Sequence, residues 1–220
     1  MDLRQQYYHE LALIKDARIA QVIEVAKQVF DESTIHQTKI KTIAKRAKIG
    51  EATFYRYFGD KVTLVKLVSL SYWEELTKLF YQYYTDHIKS KATGYLKIEA
   101  FLQIFMILYE DHRPFIHFTD DYDNYMRDIE EHEGSFEALQ ISIKEMFIDL
   151  YNLARSDQSI RQDIDASMAY DLMAQMFISI LQRMTLRAGK LRIEQGVSIK
   201  RSLPHYIRMF MNYLTPKGHS

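Results

Sequence analysis

The sequence predicts an all-α protein: an N-terminal three-helix domain containing a helix-turn-helix, joined by a long helix to a larger helical domain. Three observations lead there. Apolar residues make up 47% of the 220-residue chain, with only three prolines and seven glycines, which suits a compact core with few enforced breaks. Amphipathic patterns of helical period follow one another, with no internal repeat, Gly-rich loop or low-complexity segment between them. Residues 38–61, TKIKTIAKRAKIGEATFYRYFGDK, read as two short helices around a tight turn.

The elements follow in order. A first helix is expected from about Asp16 to Glu32, with Ile19, Val22, Ile23, Ala26 and Phe30 on one face. In the second, Ile40, Ile43, Ala44 and Ala47 fall at i, i+3, i+4 and i+7, and Thr38 is placed to cap it by accepting from a free N–H. Lys48-Ile49-Gly50 breaks that helix and Gly50 serves as the next N-cap. Phe54 and Phe58 form an inward i, i+4 pair, Gly59 supplies a left-handed residue, and Asp60 caps a long helix running to about Asp86. Further helices are expected at Tyr95 to Asp111, Pro114 to Glu130, Phe136 to Arg155, Ala166 to Ala188 and Ile199 to Leu214. Pro114 suits a helix start, and Gly134, Gly189 and Gly196 suit breaks. Pro204 either kinks the last helix or marks its true first turn.

A helical wheel on the third element, with the Phe54/Phe58 bisector pointing inward, sends Arg56 outward with Ala52 and Thr53 beside it. Tyr55 and Tyr57 flank the helix, where their hydroxyls reach toward phosphates. Such a helix fits a major groove, Arg56 suiting a guanine edge and Thr53 a thymine methyl or polar base edge. Charge agrees with this reading. The whole chain balances 29 basic against 29 acidic residues, yet residues 38–61 hold Lys39, Lys41, Lys45, Arg46, Lys48, Arg56 and Lys61 against Glu51 and Asp60, a net of 7 − 2 = +5. That concentrates attraction for a polyanion. Lys61 opposes the dipole of the helix it begins, at ~0.3–1 kcal/mol, which a phosphate contact would explain. The alternative is a solvated basic face.

This segment resembles the DNA-binding domain of the TetR family of bacterial transcriptional repressors. Thr38, Ile43-Ala44, Ala47, Ile49, Phe54-Tyr55, Tyr57-Phe58, Lys61 and Leu64 carry the match, which covers about the first third of the chain. The resemblance implies that Thr38, Lys41 and Thr42 meet phosphate or groove, that Ala52, Thr53, Tyr55 and Arg56 approach bases, and that Tyr57 and Lys61 grip the backbone. Lys48 departs from the family's frequent glycine, and Gly50 from its frequent serine or threonine. Glu51 reads first as a partner of the helix dipole and second as a cytosine reader.

By the same resemblance residues 1–64 form the helix-turn-helix domain and 65–220 a helical effector-binding and dimerisation domain. Wide apolar stripes on the last two helices, Leu172, Met176, Ile180 and Met184, then Leu203, Ile207, Phe210, Met211 and Leu214, are by themselves more often plain core, and the resemblance makes them the expected dimer surface. A two-fold dimer then calls for a palindromic operator. Candidate effector-binding residues are the second domain's aromatics: Trp73, Phe101, Phe105, Tyr109, Phe118, Tyr122, Tyr125, Phe147, Tyr151 and Phe177. The tyrosines favour an apolar, aromatic or cationic small molecule over a sugar phosphate.

Other classes find little support. No cysteine occurs, which removes thiolate chemistry and cysteine zinc sites. MDLRQQYYHE lacks the form of a secretory signal, and no apolar run is long enough for a membrane span; the expected location is the bacterial cytoplasm. From Glu110 to Glu137 ten carboxylates face only Arg113 and Arg127. His112 and His117 lie about 140° apart on a helix, so although His117 and Asp121 share a face, a solvated acidic surface is expected and no metal. No catalytic constellation or cofactor fingerprint stands out. The expectation is a homodimeric, ligand-released repressor. Its rivals are a DNA-binding adaptor that recruits a protein without sensing a small molecule, and a helical enzyme whose basic motif is incidental.

Overall fold

A computed structural model describes residues 3–127, 129, 137–187 and 198–216. Among these residues it is helical throughout, with no strand. The helices are α1 (Leu3–Glu32), α2 (Ile40–Arg46), α3 (Glu51–Phe58), α4 (Lys61–Tyr83), α5 (Gly94–Asp111), α6 (Arg113–Met126), α7 (Glu137–Ser156), α8 (Ala166–Leu186) and α9 (Ile199–Leu214), with a π-helical turn at Tyr84–Ile88. The all-α expectation holds, and most boundaries fall within two or three residues of those read from the sequence. Three differ more. α1 begins well before Asp16, α4 passes into the π-helical turn near its expected end, and α6 stops before Glu130. The expected breaks at Gly134, Gly189 and Gly196 lie outside the described residues.

The chain forms two compact units, Met1–Tyr72 with Phe118–Ser135, and Trp73–His117 with Phe136–Ser220. The division falls inside α4 and inside α6.

The first unit closes around the helix-turn-helix. Val22, Ala26, Val29 and Phe30 of α1, Ile43 and Ala44 of α2, Phe54 and Phe58 of α3, and Leu64, Val65 and Val68 of α4 are all buried. α2 ends in two bonds that define a Schellman cap: Lys48 N–H to Lys45 O at 3.2 Å and Ile49 N–H to Ala44 O at 3.0 Å. That cap needs a left-handed residue, and Lys48 supplies it at φ 56°. The turn after α3 is tighter. Gly59 sits at φ 73°, ψ −55° and Asp60 N–H reaches Phe58 O at 2.8 Å, a γ-turn whose positive φ suits glycine. Asp60 then caps α4 as expected, accepting Thr63 N–H at 2.7 Å.

The distal half of α6 packs into this unit. Phe118 lies 6.2 Å from Phe30 and 5.1 Å from Tyr72 between ring centroids, and Tyr125 meets His36 edge-on at 5.0 Å.

In the second unit α5 is the central element. Phe101 packs on Phe80 at 5.3 Å and on Phe147 at 5.4 Å, and Phe105 stacks on Phe177 at 4.8 Å. The α5–α7 crossing is close at Gly94, where a Cβ would stand 2.1 Å from Ala154 Cα. Only glycine fits there. α7 ends like α2, with Gln158 at φ 59° and Ser159 N–H bonded to Ala154 O at 3.0 Å.

The stripe of α9 faces this core. Leu203, Ile207, Phe210, Met211 and Leu214 are buried within the unit, as is Met184 of α8, so they are core residues and not the exposed dimer surface expected of them. A stripe this wide on a terminal helix is what its own unit requires to close. Met176 and Ile180 are partly buried against the same core. Of the expected interface only Leu172 is exposed, at 41%. Pro204 lies inside α9, which starts at Ile199, so it does not mark the first turn.

Candidate nucleic-acid interface

The face left open by the first unit is built from α2, its turn and α3. Burying Phe54 and Phe58 fixes the rotation of α3, with their rings 4.9 Å apart. Ala52, Tyr55 and Arg56 are consequently exposed, and Thr53 and Tyr57 half-buried. Glu51 is exposed in the first turn of α3, where its carboxylate complements the helix N-terminus. Lys39, Lys41, Thr42, Lys45 and Lys48 are exposed on the preceding helix and turn.

Tyr57 is held from two sides. The Arg18 guanidinium of α1 hydrogen-bonds its hydroxyl, the largest influence, and together with Arg56 holds the phenol below its ordinary pKa against the opposing pull of burial. Arg56 lies 5.4 Å from the Tyr57 ring centroid. Arg18 was not singled out in the sequence, because it falls outside the motif and nothing local ties it to α3.

Three expected contacts need correction. Thr38 does not cap α2: the N-cap is Lys39, without a side-chain bond. Thr38 is buried, its hydroxyl donating to Thr34 O at 2.9 Å and its N–H to the same oxygen at 3.0 Å. It holds the α1–α2 turn and has no free hydroxyl for phosphate. Lys61 likewise turns inward. Its ammonium donates to Thr38 O at 2.7 Å and to Ile35 O, with the Tyr125 ring centroid 5.3 Å away. Burial pushes its pKa down and the Asp121 carboxylate partly restores it. These carbonyls explain the lysine that the helix dipole disfavours. Arg46 is also engaged, bridging to Glu32 of α1 at 2.7 Å.

Asp121 belongs to the same knot, because it accepts the Ile35 N–H. No group of three or more metal-ligating side chains occurs among the described residues, and no described helix is long and apolar enough to cross a membrane.

The aromatic set proposed for an effector divides between the units. Phe118, Tyr122 and Tyr125 fall in the first, with Phe118 5.8 Å from Tyr122, and are not residues of the second domain. In the second unit Phe101, Phe105, Tyr109, Phe147, Tyr151 and Phe177 are buried. Tyr151 donates its hydroxyl to Ile164 O at 3.1 Å. Trp73 is half-buried and meets Phe115 edge-on at 5.4 Å.

Residues 22–68 match the family model described as bacterial regulatory proteins, tetR family. The fatty acid metabolism regulator protein of Bacillus subtilis (strain 168) is 30% identical over 99 residues, 44% of this chain. The chain thus spans about half, 49%, of that curated relative. Among solved structures, the ketosteroid transcriptional regulator of Mycobacterium tuberculosis aligns with a TM-score of 0.63 at 16% identity, over 91% of this chain and 96% of the other. The fatty acid degradation regulator FadR from Bacillus halodurans gives 0.67 at 15%, over 88% and 94%. FadR from Bacillus subtilis in complex with stearoyl-CoA gives 0.62 at 16%, over 87% and 97%. At such identities these likenesses speak for the fold, while the family match coincides with the helices built above. Residues 22–68 thus match the domain of the tetR family of bacterial regulatory proteins, and the chain shares the fold of solved transcriptional regulators.

Proposed function

We propose that this protein is a repressor of the bacterial cytoplasm that binds a palindromic operator as a homodimer and releases it when a small-molecule effector occupies the second unit. The observation that carries the DNA reading is the exposed cationic face of α2, its turn and α3: Lys39, Lys41, Lys45, Lys48 and Arg56, with Thr42, Ala52 and Tyr55 among them. The lysines supply sequence-independent attraction. Arg56 reads a base edge, Thr53 and Ala52 approach the adjoining bases, and Tyr57 is steadied by Arg18 for a backbone contact.

A two-fold dimer would set two copies of α3 in successive major grooves, about 34–36 Å apart. Exposed apolar residues on α8 and α9 support pairing there: Met168, Leu172 and Ile178, with Met209 and Tyr213. They replace the buried stripe as the interface candidates. The choice of effector rests on the relatives, one named as a fatty acid metabolism regulator and one solved with stearoyl-CoA. A long-chain acyl-CoA is therefore the effector class to test first.

Selection of bound fragments from the source genome, repeated with stearoyl-CoA, tests this reading. A palindromic consensus whose binding falls on adding the acyl-CoA is the expected result. Binding of all fragments alike would overturn the operator, and release by no acyl-CoA would overturn the effector.

A further inference from the structure

α1 is longer than the first unit needs. Its 30 residues span about 45 Å at 1.5 Å each, yet among the described residues its first buried side chain is Val22. Every side chain from His9 to Arg18 is exposed, Lys15 and Arg18 included. A helix supports a fold through the face it packs, so this stretch holds nothing in the core and stands available to a ligand.

Charge along this stretch is sorted by face. Lys15 and Arg18, at i and i+3, are neighbours on the helix surface. At 3.6 residues per turn, Glu10 and Asp16 stand about 110° and 130° from the midline of that pair. The cationic side is the one that meets α3. The Tyr57 hydroxyl accepts from the Arg18 guanidinium and, secondarily, from Arg56, whose guanidinium carbon lies 5.4 Å from the Tyr57 ring centroid. Two exposed guanidinium groups thus converge on one phenol, and among the described residues no carboxylate forms an ion pair with either. Like charges so placed repel. Each guanidinium has five N–H donors, and the phenol occupies few of them, so both keep donors for an anion. Of the exposed apolar residues nearby, Leu13 lies about 160° from Leu11, so they form no single face for a protein partner.

We infer that Lys15 and Arg18 contact DNA phosphates directly, extending the nucleic-acid interface beyond α2 and α3 onto α1. This rests on the DNA reading above and adds to it two residues outside the helix-turn-helix, both preceding residue 22, where the family match starts. Arg18 holds Tyr57 with one part of its fork and a phosphate oxygen with another, the planar geometry that suits a phosphate. Lys15, one turn earlier, meets the adjoining phosphate as a point charge. Neither reads sequence; both add affinity that salt weakens.

Binding of the full-length protein to a random-sequence duplex, followed across salt concentrations, tests this, because phosphate contacts persist without an operator. Arg18→Ala and Lys15→Ala should each shallow the salt slope by about 0.9 for each protomer. Arg18→Lys, which keeps the charge, should keep the slope. Tyr57→Phe separates contact from support: an Arg18 that meets phosphate itself loses the same slope on mutation to alanine in the Tyr57→Phe background, whereas one that only steadied the phenol loses nothing further there. Lys78→Ala removes an equal charge from the exposed surface of the second unit and should leave the slope alone. Melting temperatures of the Lys15 and Arg18 variants should stay at the wild-type value, since both side chains are exposed. An unchanged slope in Lys15→Ala, or in Arg18→Ala on the Tyr57→Phe background, would overturn the α1 contact, as would an equal loss in Lys78→Ala. Wild type that binds no duplex at low salt would instead remove the DNA reading on which the contact rests.

Discussion

The Lys61 ammonium donates to the Thr38 carbonyl at 2.7 Å, tying the first residue of α4 to the turn that leads into α2. The same nitrogen reaches Ile35 O, whose residue in turn donates its N–H to Asp121. Lys61→Ala should therefore act on stability and not on phosphate contact. It leaves two carbonyls without their donor, at about 1–3 kcal/mol. Thermal unfolding should reveal that loss, while the salt dependence of operator binding, measured well below the melting temperature, should keep its slope. A slope shallower by about 0.9 for each protomer would return Lys61 to the DNA backbone.

Asp121→Asn tests the electrostatic half of the same knot. Burial lowers the Lys61 pKa and the Asp121 charge opposes that fall, so the asparagine should lower it further. A lysine that holds its proton less well folded than unfolded disfavours the fold at pH values where it stays charged. The variant should be less stable at pH 7, on the order of 1 kcal/mol, and its deficit should shrink as pH rises through the lowered Lys61 pKa. A deficit independent of pH would assign the effect to the Ile35 bond instead.

On the DNA face, Arg56 and Lys41 should behave differently. Arg56 is exposed at the outward pole of α3, and Arg56→Ala should cost ~1–3 kcal/mol of operator binding and relax the preference at one base pair. Lys41→Ala should weaken all sequences alike and shallow the salt slope by about 0.9 for each protomer. Binding to an operator library at several salt concentrations separates the two. Identical profiles would contradict the roles.

How far these roles were legible depended on sequence separation. Burial of Phe54 and Phe58 and the exposure of Arg56 followed from spacing within eight residues, and the Asp60 cap from its neighbours. Lys61 was misread because its partners lie 23 and 26 residues away, with Asp121 farther still, and no local pattern announces them. Thr38 failed for a nearer reason, since Thr34 O competes for its hydroxyl and the helix begins at Ile40. The stripe of α9 was correct as a stripe. Periodicity states that a face will be covered but not by what.

Lys48 offers a gain in stability. Its φ of 56° places a residue with a Cβ where the Schellman cap favours glycine. Lys48→Gly should relieve about 1 kcal/mol of backbone strain, and urea unfolding should show it as a higher midpoint at unchanged slope. Operator affinity should fall modestly at low salt, because one exposed cation is lost from the face. An unchanged or lower midpoint would mean that the turn is not strained.

Asp157 links the start of α5 to the end of α7, accepting Gly94 N–H at 2.6 Å and Ser159 N–H at 3.0 Å. Burial raises its pKa, but the hydrogen bonds from Gly94 and Ser159 outweigh it and hold the carboxyl below its ordinary value. A depressed carboxylate contributes stability that is complete above its unfolded pKa of about 3.9 and is lost as pH falls through the lower folded value. Asp157→Asn should therefore be less stable than wild type at pH 7 and should approach it below pH 3. Gly94→Ala should be damaged at every pH, since its Cβ would meet Ala154 Cα at 2.1 Å, at about 3 kcal/mol. Urea unfolding across pH 2–7 distinguishes a titrating loss at Asp157 from a steric one at Gly94, and a pH-independent deficit in the asparagine variant would show that the carboxylate's charge is not what holds the crossing.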